Sequence, residues 1–272
     1  MQPGRKMLFV DLDDTLLNRK KEITRGNHDA IRRTGEAGNL VVLCSGRPLC
    51  GYVKYIEELQ LDREGCYVVS ANGAQIYDPY NRRNLYYQPV TMTETAKLFE
   101  EAARWGLHCQ TYDDTHLLVR EMNRETEYYV ARTPLPVRVM PDLPKGLEQE
   151  PIKVLILDLD DHAKLEAFRE AQKPWTEGQV EIFFSNPYYL ECVHTGNSKG
   201  SAVRYLRDLL QIPEENTLAA GDSENDLSMI TACGIGCAVA NATDAVKAQS
   251  SFITQADCDH DAIAEIIDRF MS

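Results

Sequence analysis

Short, nearly all-apolar runs separated by amphipathic segments limit the fold of this chain more than any other feature. Residues 6–10, 40–44 and 66–70 each read as a buried strand. Between them, residues 27–37 read as a helix, and Leu49, Tyr52, Val53, Ile56 and Leu59 recur at helical spacing after Pro48, which suits a first helical turn. Strand, helix, strand, helix, strand predicts a parallel sheet with covering helices. The pattern breaks near residue 85. A helix over 93–105 is followed by short runs at 107–112 and 115–120, a proline-rich patch (Pro134, Pro136, Pro141, Pro144), a strand at 152–157 and a helix from His162. Adjacent short strands predict an antiparallel sheet with helices on one face. The first pattern then returns: helix 198–210, strand 217–220, helix 224–232, strand 235–239, and a last helix marked by Ile263, Ile266, Ile267 and Phe270. The expected organisation is an α/β core, residues 1–84 and 187–272, split by an inserted α+β domain over 85–186.

The 272 residues carry 42 acidic and 29 basic side chains, a net charge of −13. That balance argues against nucleic acid as a partner, which needs a basic surface to displace counterions. It leaves small phosphorylated substrates open, because a few local cations or a metal ion reverse the field. No apolar run is long enough to span a bilayer, and the run at 7–10 stops at Asp11, too short for a signal peptide. The eight cysteines are irregularly spaced without a Cys-x-x-Cys pair, and Cys233 and Cys237 read as core filling. No membrane partner and a cytoplasmic location are therefore expected.

Candidate chemistry collects where strands end. In Asp11-Leu12-Asp13-Asp14-Thr15, residues i and i+2 of an extended chain face the same way, so Asp11 and Asp13 converge just past a buried strand. Ligands of open parallel sheets gather at those carboxyl ends. The second strand runs into Ser45-Gly46-Arg47-Pro48, and the strand at 217–220 runs into Gly221-Asp222-Ser223-Glu224-Asn225-Asp226. Lys199 falls in the first turn of a helix, where a cation opposes the helix dipole unless an anion lies between them. Two carboxylates about 5 Å apart repel by about 3 kcal/mol at an effective dielectric of about 20. Asp11, Asp13 and Asp222 thus call for a cation. An all-oxygen set without His or Cys favours Mg²⁺.

These segments, with Ala71-Asn72-Gly73-Ala74 and Gly196-Asn197-Ser198-Lys199-Gly200, resemble the haloacid dehalogenase-like hydrolases over nearly the whole chain. Within them the order and spacing resemble the Cof-type phosphatases, which carry a large inserted cap. The resemblance implies a Rossmann-like core with helices on both faces and an Mg²⁺-dependent phosphatase acting on a small phosphorylated metabolite, a sugar phosphate or similar. It implies Asp11 as nucleophile, forming an aspartyl-phosphate, and Asp13 as the acid that protonates the leaving oxygen and then activates water. It implies metal ligation by the Asp11 carboxylate, the Asp13 carbonyl and Asp222, with Asp226 acting through water or as support. Ser45 and Lys199 would hold phosphoryl oxygens, and Arg47, Asn72 and Asn225 are substrate-side candidates that could equally brace their loops. A phosphomutase, or a phosphometabolite-binding protein on the same fold, are the competing expectations. Ala240 and Ala262 stand where the family often has glycine.

A second strand-then-Asp-Leu-Asp-Asp stretch ends in Asp158, Asp160 and Asp161, without the Thr-Leu-Leu that follows the first. Asp160 and Asp161 read as a helix cap, His194 as structural, and Tyr188 and Tyr189 as strand packing. No P-loop, dinucleotide fingerprint or Gly-x-Ser-x-Gly elbow occurs.

Overall fold

A computed structural model describes residues 4–271. These residues divide into two compact units, one of residues 4–46, 54–86 and 197–271, the other of residues 47–53 and 87–196.

The first unit is organised by β1 (Met7–Asp11), whose five residues are all buried. It lies between β2 (Leu40–Cys44) and β12 (Thr217–Gly221) in an eight-stranded sheet of order β14-β13-β12-β1-β2-β3-β4-β5. The strands from β14 (Phe252–Ile253) and β13 (Ile235–Ala238) across to β3 (Cys66–Ser70) run parallel. Such strands need crossovers. From β1 the chain steps through α1 (Arg25–Glu36) to β2 and on through α2 (Val53–Glu58) to β3, whereas from β12 it steps the other way through α7 (Leu227–Ile230) to β13 and on through α8 (Asp244–Gln249) to β14. Right-handed crossovers taken in opposite directions place their helices on opposite faces of the sheet. The direction reverses between β1 and β12, and the crevice at such a switch point, at the strands' carboxyl ends, is where these sheets bind ligands. α9 (Ala262–Phe270) packs on α1, and α6 (Lys199–Leu210) packs on α7. Beyond β3 the sheet continues with β4 (Gln75–Asp78), antiparallel to β3, and β5 (Arg83–Tyr87). The sequence reading did not anticipate this antiparallel edge. β5 is half polar and partly exposed, as an edge strand can be.

The second unit is a six-stranded sheet of order β10-β11-β9-β6-β7-β8, antiparallel except between β7 (Leu117–Val119) and β8 (Val137–Val139). Alternation along β9 (Val154–Leu157) assigns its two faces. Val154 and Ile156 pack with Leu98 and Phe99 of α3 (Met92–Arg104) and with Leu165 and Phe168 of α5 (His162–Thr176). Leu155 and Leu157 pack instead with Tyr129 of α4 (Arg124–Arg132), Tyr112 of β6 (His108–Tyr112) and Tyr189. Helices therefore lie against both faces, not one as expected. α4 escaped the sequence reading because only Thr126 and Tyr129 along it are buried, too little apolar periodicity to register. The boundary expected at 186 falls inside the hairpin of β10 (Val180–Asn186) and β11 (Tyr189–His194), both strands of this second sheet.

All eight cysteines are free and buried, and no helix among the described residues is long and apolar enough to cross a membrane. Ile156 has no exposed surface, so Ile156→Ala should cost about 2–5 kcal/mol through lost contacts and a cavity. Urea unfolding of the variant checks that expectation.

Candidate active site

The site is built where β1 and β12 end. Asp11 is the last residue of β1 and sits across from Cys44 of β2. Lys199 opens α6, the helix that leads into β12, and its side chain has no exposed surface. Its ammonium donates to Asp11 Oδ1 and to Asp226 Oδ1, each at 2.5 Å. The anion that a lysine at a helix start requires is thus supplied by two carboxylates. The second oxygen of Asp226 accepts the backbone N–H groups of Asp222 and Ser223 at 3.0 and 3.1 Å. Asp226 thereby shapes the loop that presents Asp222. Gly221 is glycine because a Cβ there would stand 2.5 Å from the Asp226 Cβ.

Thr15, fully buried, donates its hydroxyl to Asp222 Oδ1 at 3.0 Å. Asp13 is half-exposed, with Lys21 Nζ 3.0 Å from its Oδ1. Ser45 follows β2 and is buried; its carbonyl accepts the Asn72 N–H at 3.1 Å. Asn72 has the left-handed φ of 54°, lies over Gly46, and its Oδ1 faces Asn225 Nδ2 at 3.5 Å. The first unit thus gathers Asp11, Asp13, Ser45, Asn72, Lys199, Asp222, Asn225 and Asp226 on the loops at one end of its sheet. Arg47, two residues after Ser45, falls with residues 47–53 in the second unit.

Electrostatics follow from burial. Desolvation, then the Asp226 charge, pushes the Asp11 carboxyl well above the usual range, against the pull of Lys199. Burial and the same neighbour raise Asp222 to about 6, with the Thr15 hydroxyl opposing. Burial alone would lower the Lys199 pKa, but Asp11 and Asp226 outweigh it and hold the ammonium charged. Three carboxylates against one ammonium leave two negative charges when all are ionised, the deficit a divalent cation removes. Ligand oxygens of Asp11, Asp222 and Asp226 lie within 4.8 Å of one another. Around Mg²⁺, with bonds of about 2.1 Å, opposite ligands stand about 4.2 Å apart. The hard oxygen set therefore fits a magnesium-sized ion after a small contraction, or with one carboxylate acting through water. Asp226 suits that indirect place, because both of its oxygens are already engaged.

A family profile described as haloacid dehalogenase-like hydrolase matches residues 8–267. The chain belongs to the haloacid dehalogenase-like hydrolases. Among curated members of this family it is 30% identical over 259 residues to the putative phosphatase YxeH of Bacillus subtilis, covering 94% of each chain. It is 27% identical over 270 residues to the pyridoxal phosphate phosphatase YbhA of Escherichia coli, covering 96% of this chain and 97% of that one. A haloacid dehalogenase-like hydrolase from Bacteroides thetaiotaomicron superposes with a TM-score of 0.92 at 31% identity, covering 97% and 99% of the two chains. This haloacid dehalogenase-like hydrolase is a Cof-type phosphatase with a carboxylate cluster.

Three contributors went unassigned in the sequence: Thr15, Lys21 and Asn241, whose Nδ2 donates to the Asp14 carbonyl at 2.7 Å. Thr15 stands inside the first acidic motif, but its partner is 207 residues away and only the fold joins them. The second acidic stretch is structural. Asp161 caps α5 by accepting the Lys164 N–H at 2.9 Å, and Asp160 pairs with Arg124 at 2.6 and 3.0 Å. His194 has Thr195 O at 2.8 Å from Nδ1 and Gln88 Nε2 at 3.3 Å from Nε2. Tyr189 packs against Tyr128 and Tyr129.

Gly73 has φ +103°, and a Cβ there would stand 2.2 Å from the carbonyl oxygen of Ser198. Gly73→Ala should therefore cost at least about 2 kcal/mol from the positive φ and the displaced Lys199 loop. A lowered melting temperature together with lost phosphatase activity is the expected result.

Proposed function

We propose that this chain hydrolyses a small phosphorylated metabolite through an aspartyl-phosphate formed on Asp11. One observation carries the reading: a fully buried ammonium, Lys199, joins Asp11 and Asp226 beside Asp222 at the switch point of a parallel sheet. A purely structural ion pair needs no third carboxylate, and burying one is costly.

The Asp11 carboxylate attacks phosphorus in line, and the bond to the leaving oxygen breaks. Asp13 gives its proton to that oxygen, then takes one from the water that attacks the phosphorus of the intermediate, freeing phosphate and regenerating Asp11. Asp13 is half-exposed on its turn, open to a leaving group and to water. Lys199 favours the ionised Asp11 carboxylate against the effect of its burial, holds it in place and offsets charge on the phosphoryl oxygens. Ser45 donates to those oxygens, and Asn72 and Asn225 border them. The Asp11 carboxylate, the Asp13 carbonyl and Asp222 would hold Mg²⁺, with Asp226 as support. The ion would supply positive charge that lets two anions approach.

The test is phosphate release from p-nitrophenyl phosphate and a panel of esters, with Mg²⁺ and with EDTA. Sugar phosphates belong in the panel, as do pyridoxal phosphate and 5-amino-6-(5-phospho-D-ribitylamino)uracil, for which relatives are named. EDTA should abolish turnover, and Asp11→Asn should lower kcat by about 10³-fold or more with the fold intact. Turnover that survives EDTA or Asp11→Asn contradicts the reading. Transfer of the phosphoryl group to another hydroxyl, with no free phosphate, would make the enzyme a mutase.

A further inference from the structure

Asp14 lies between the acid Asp13 and Thr15, the residue that steadies Asp222, and its backbone takes the left-handed φ of 59°. A residue with a Cβ keeps such a conformation only where its surroundings over-determine it. Local bonds contribute: Leu17 N–H reaches the Leu12 carbonyl at 2.8 Å and Leu16 N–H the Asp11 carbonyl at 3.2 Å. Neither touches the Asp14 carbonyl. Asn241 does, from a loop 227 residues away, with Nδ2 donating at 2.7 Å. Its other amide atom, Oδ1, accepts the Cys258 N–H at 2.9 Å. A carbonyl on one side and an N–H on the other fix which way the amide points.

The same loop also serves the other carboxylate. Thr243 N–H donates to the Asp222 carbonyl at 2.9 Å, and Val239 N–H to the Gly221 carbonyl at 3.3 Å. The loop of Cys258 grips the chain just after the Asp13 turn, where Asp259 Oδ1 accepts the Arg19 N–H at 3.0 Å. Asn241 thus sits where three loops meet and holds the Asp14–Thr15 peptide by its carbonyl.

Resting on the roles given above to Asp11 and Asp13, we propose that Asn241 is a positioning residue. By holding the Asp14 carbonyl it fixes the turn that aims the Asp13 carboxylate at the leaving oxygen. It touches neither substrate nor metal. Its loss disturbs the orientation of Asp13, and so the chemical step, more than binding.

Two variants separate this from simple loop bracing. Asn241→Ala removes both bonds, whereas Asn241→Asp keeps an acceptor for the Cys258 N–H but turns the donor to Asp14 into a carboxylate oxygen that repels its carbonyl. Both should lower kcat for p-nitrophenyl phosphate by about 10- to 100-fold with KM changed less than about 3-fold, the cost of a group misplaced by about 1 Å. Both should also speed amide hydrogen exchange over residues 12–16 while leaving 40–44 protected as in the wild type. If Asn241→Asp keeps wild-type kcat and exchange while Asn241→Ala loses both, the Cys258 tie is what matters and the proposal is overturned. Unchanged exchange in both variants overturns it too. Should the wild type turn over no ester, the phosphatase reading fails, and the exchange over 12–16 still decides whether Asn241 holds the turn.

Discussion

The Lys199 ammonium is the contact on which the site depends. It is fully buried and gripped at 2.5 Å by Asp11 and Asp226, joining segments that lie 188 and 27 residues from it along the chain. A charge taken that far out of water is tolerable only with its partners present, and removing one of them leaves the others uncompensated. The packing around it is correspondingly close. Gly200 admits no side chain, because its Cβ would lie 2.2 Å from the Ser228 carbonyl oxygen, and Gly73 is pressed in the same way against Ser198. Glycine on both sides lets α6 start deep enough for Lys199 to reach the end of β1.

Topology supplies the rest. Because connections leave β1 and β12 in opposite directions, no crossover covers the carboxyl ends of those two neighbours. The loops there are free to carry carboxylates without crowding a helix. The sheet provides rigid strand ends, and the loops provide chemistry held by backbone hydrogen bonds, as at Asp226, whose second oxygen organises residues 222 and 223. One cation among three carboxylates is an unbalanced set, and the imbalance gives a metal ion and a phosphate dianion a reason to enter together.

Much of the core was legible because it rests on strong local patterns. Strands 40–44 and 66–70 coincide with β2 and β3, since an unbroken apolar run bounded by turn residues has few other uses. The association of Asp11, Asp222 and Lys199 was readable from their common place at element ends. What escaped depends on distance or on weak periodicity. α4 is a largely polar helix, β5 is a polar edge strand, and the helix read over 224–232 is a short 3₁₀ turn at Glu224–Asp226 followed by a single α-turn at Leu227–Ile230. Thr15, Lys21 and Asn241 are common polar residues whose meaning lies in a partner that only folding brings near. The exclusion of Arg47 from the first unit has the same origin, because adjacency to Ser45 in sequence does not decide which unit a turn joins.

The central claim is that Asp11 becomes covalently phosphorylated during turnover. The most direct measurement is to quench Asp13→Asn protein during reaction with p-nitrophenyl phosphate, whose leaving group departs without a proton, reduce it with borohydride, and read the peptide around residue 11 by mass spectrometry. An acyl phosphate is reduced where a free carboxylate is not, so homoserine at position 11 that requires both substrate and Mg²⁺ is the predicted result. Reduction at another residue, or none while the wild type releases phosphate under the same conditions, would contradict the account.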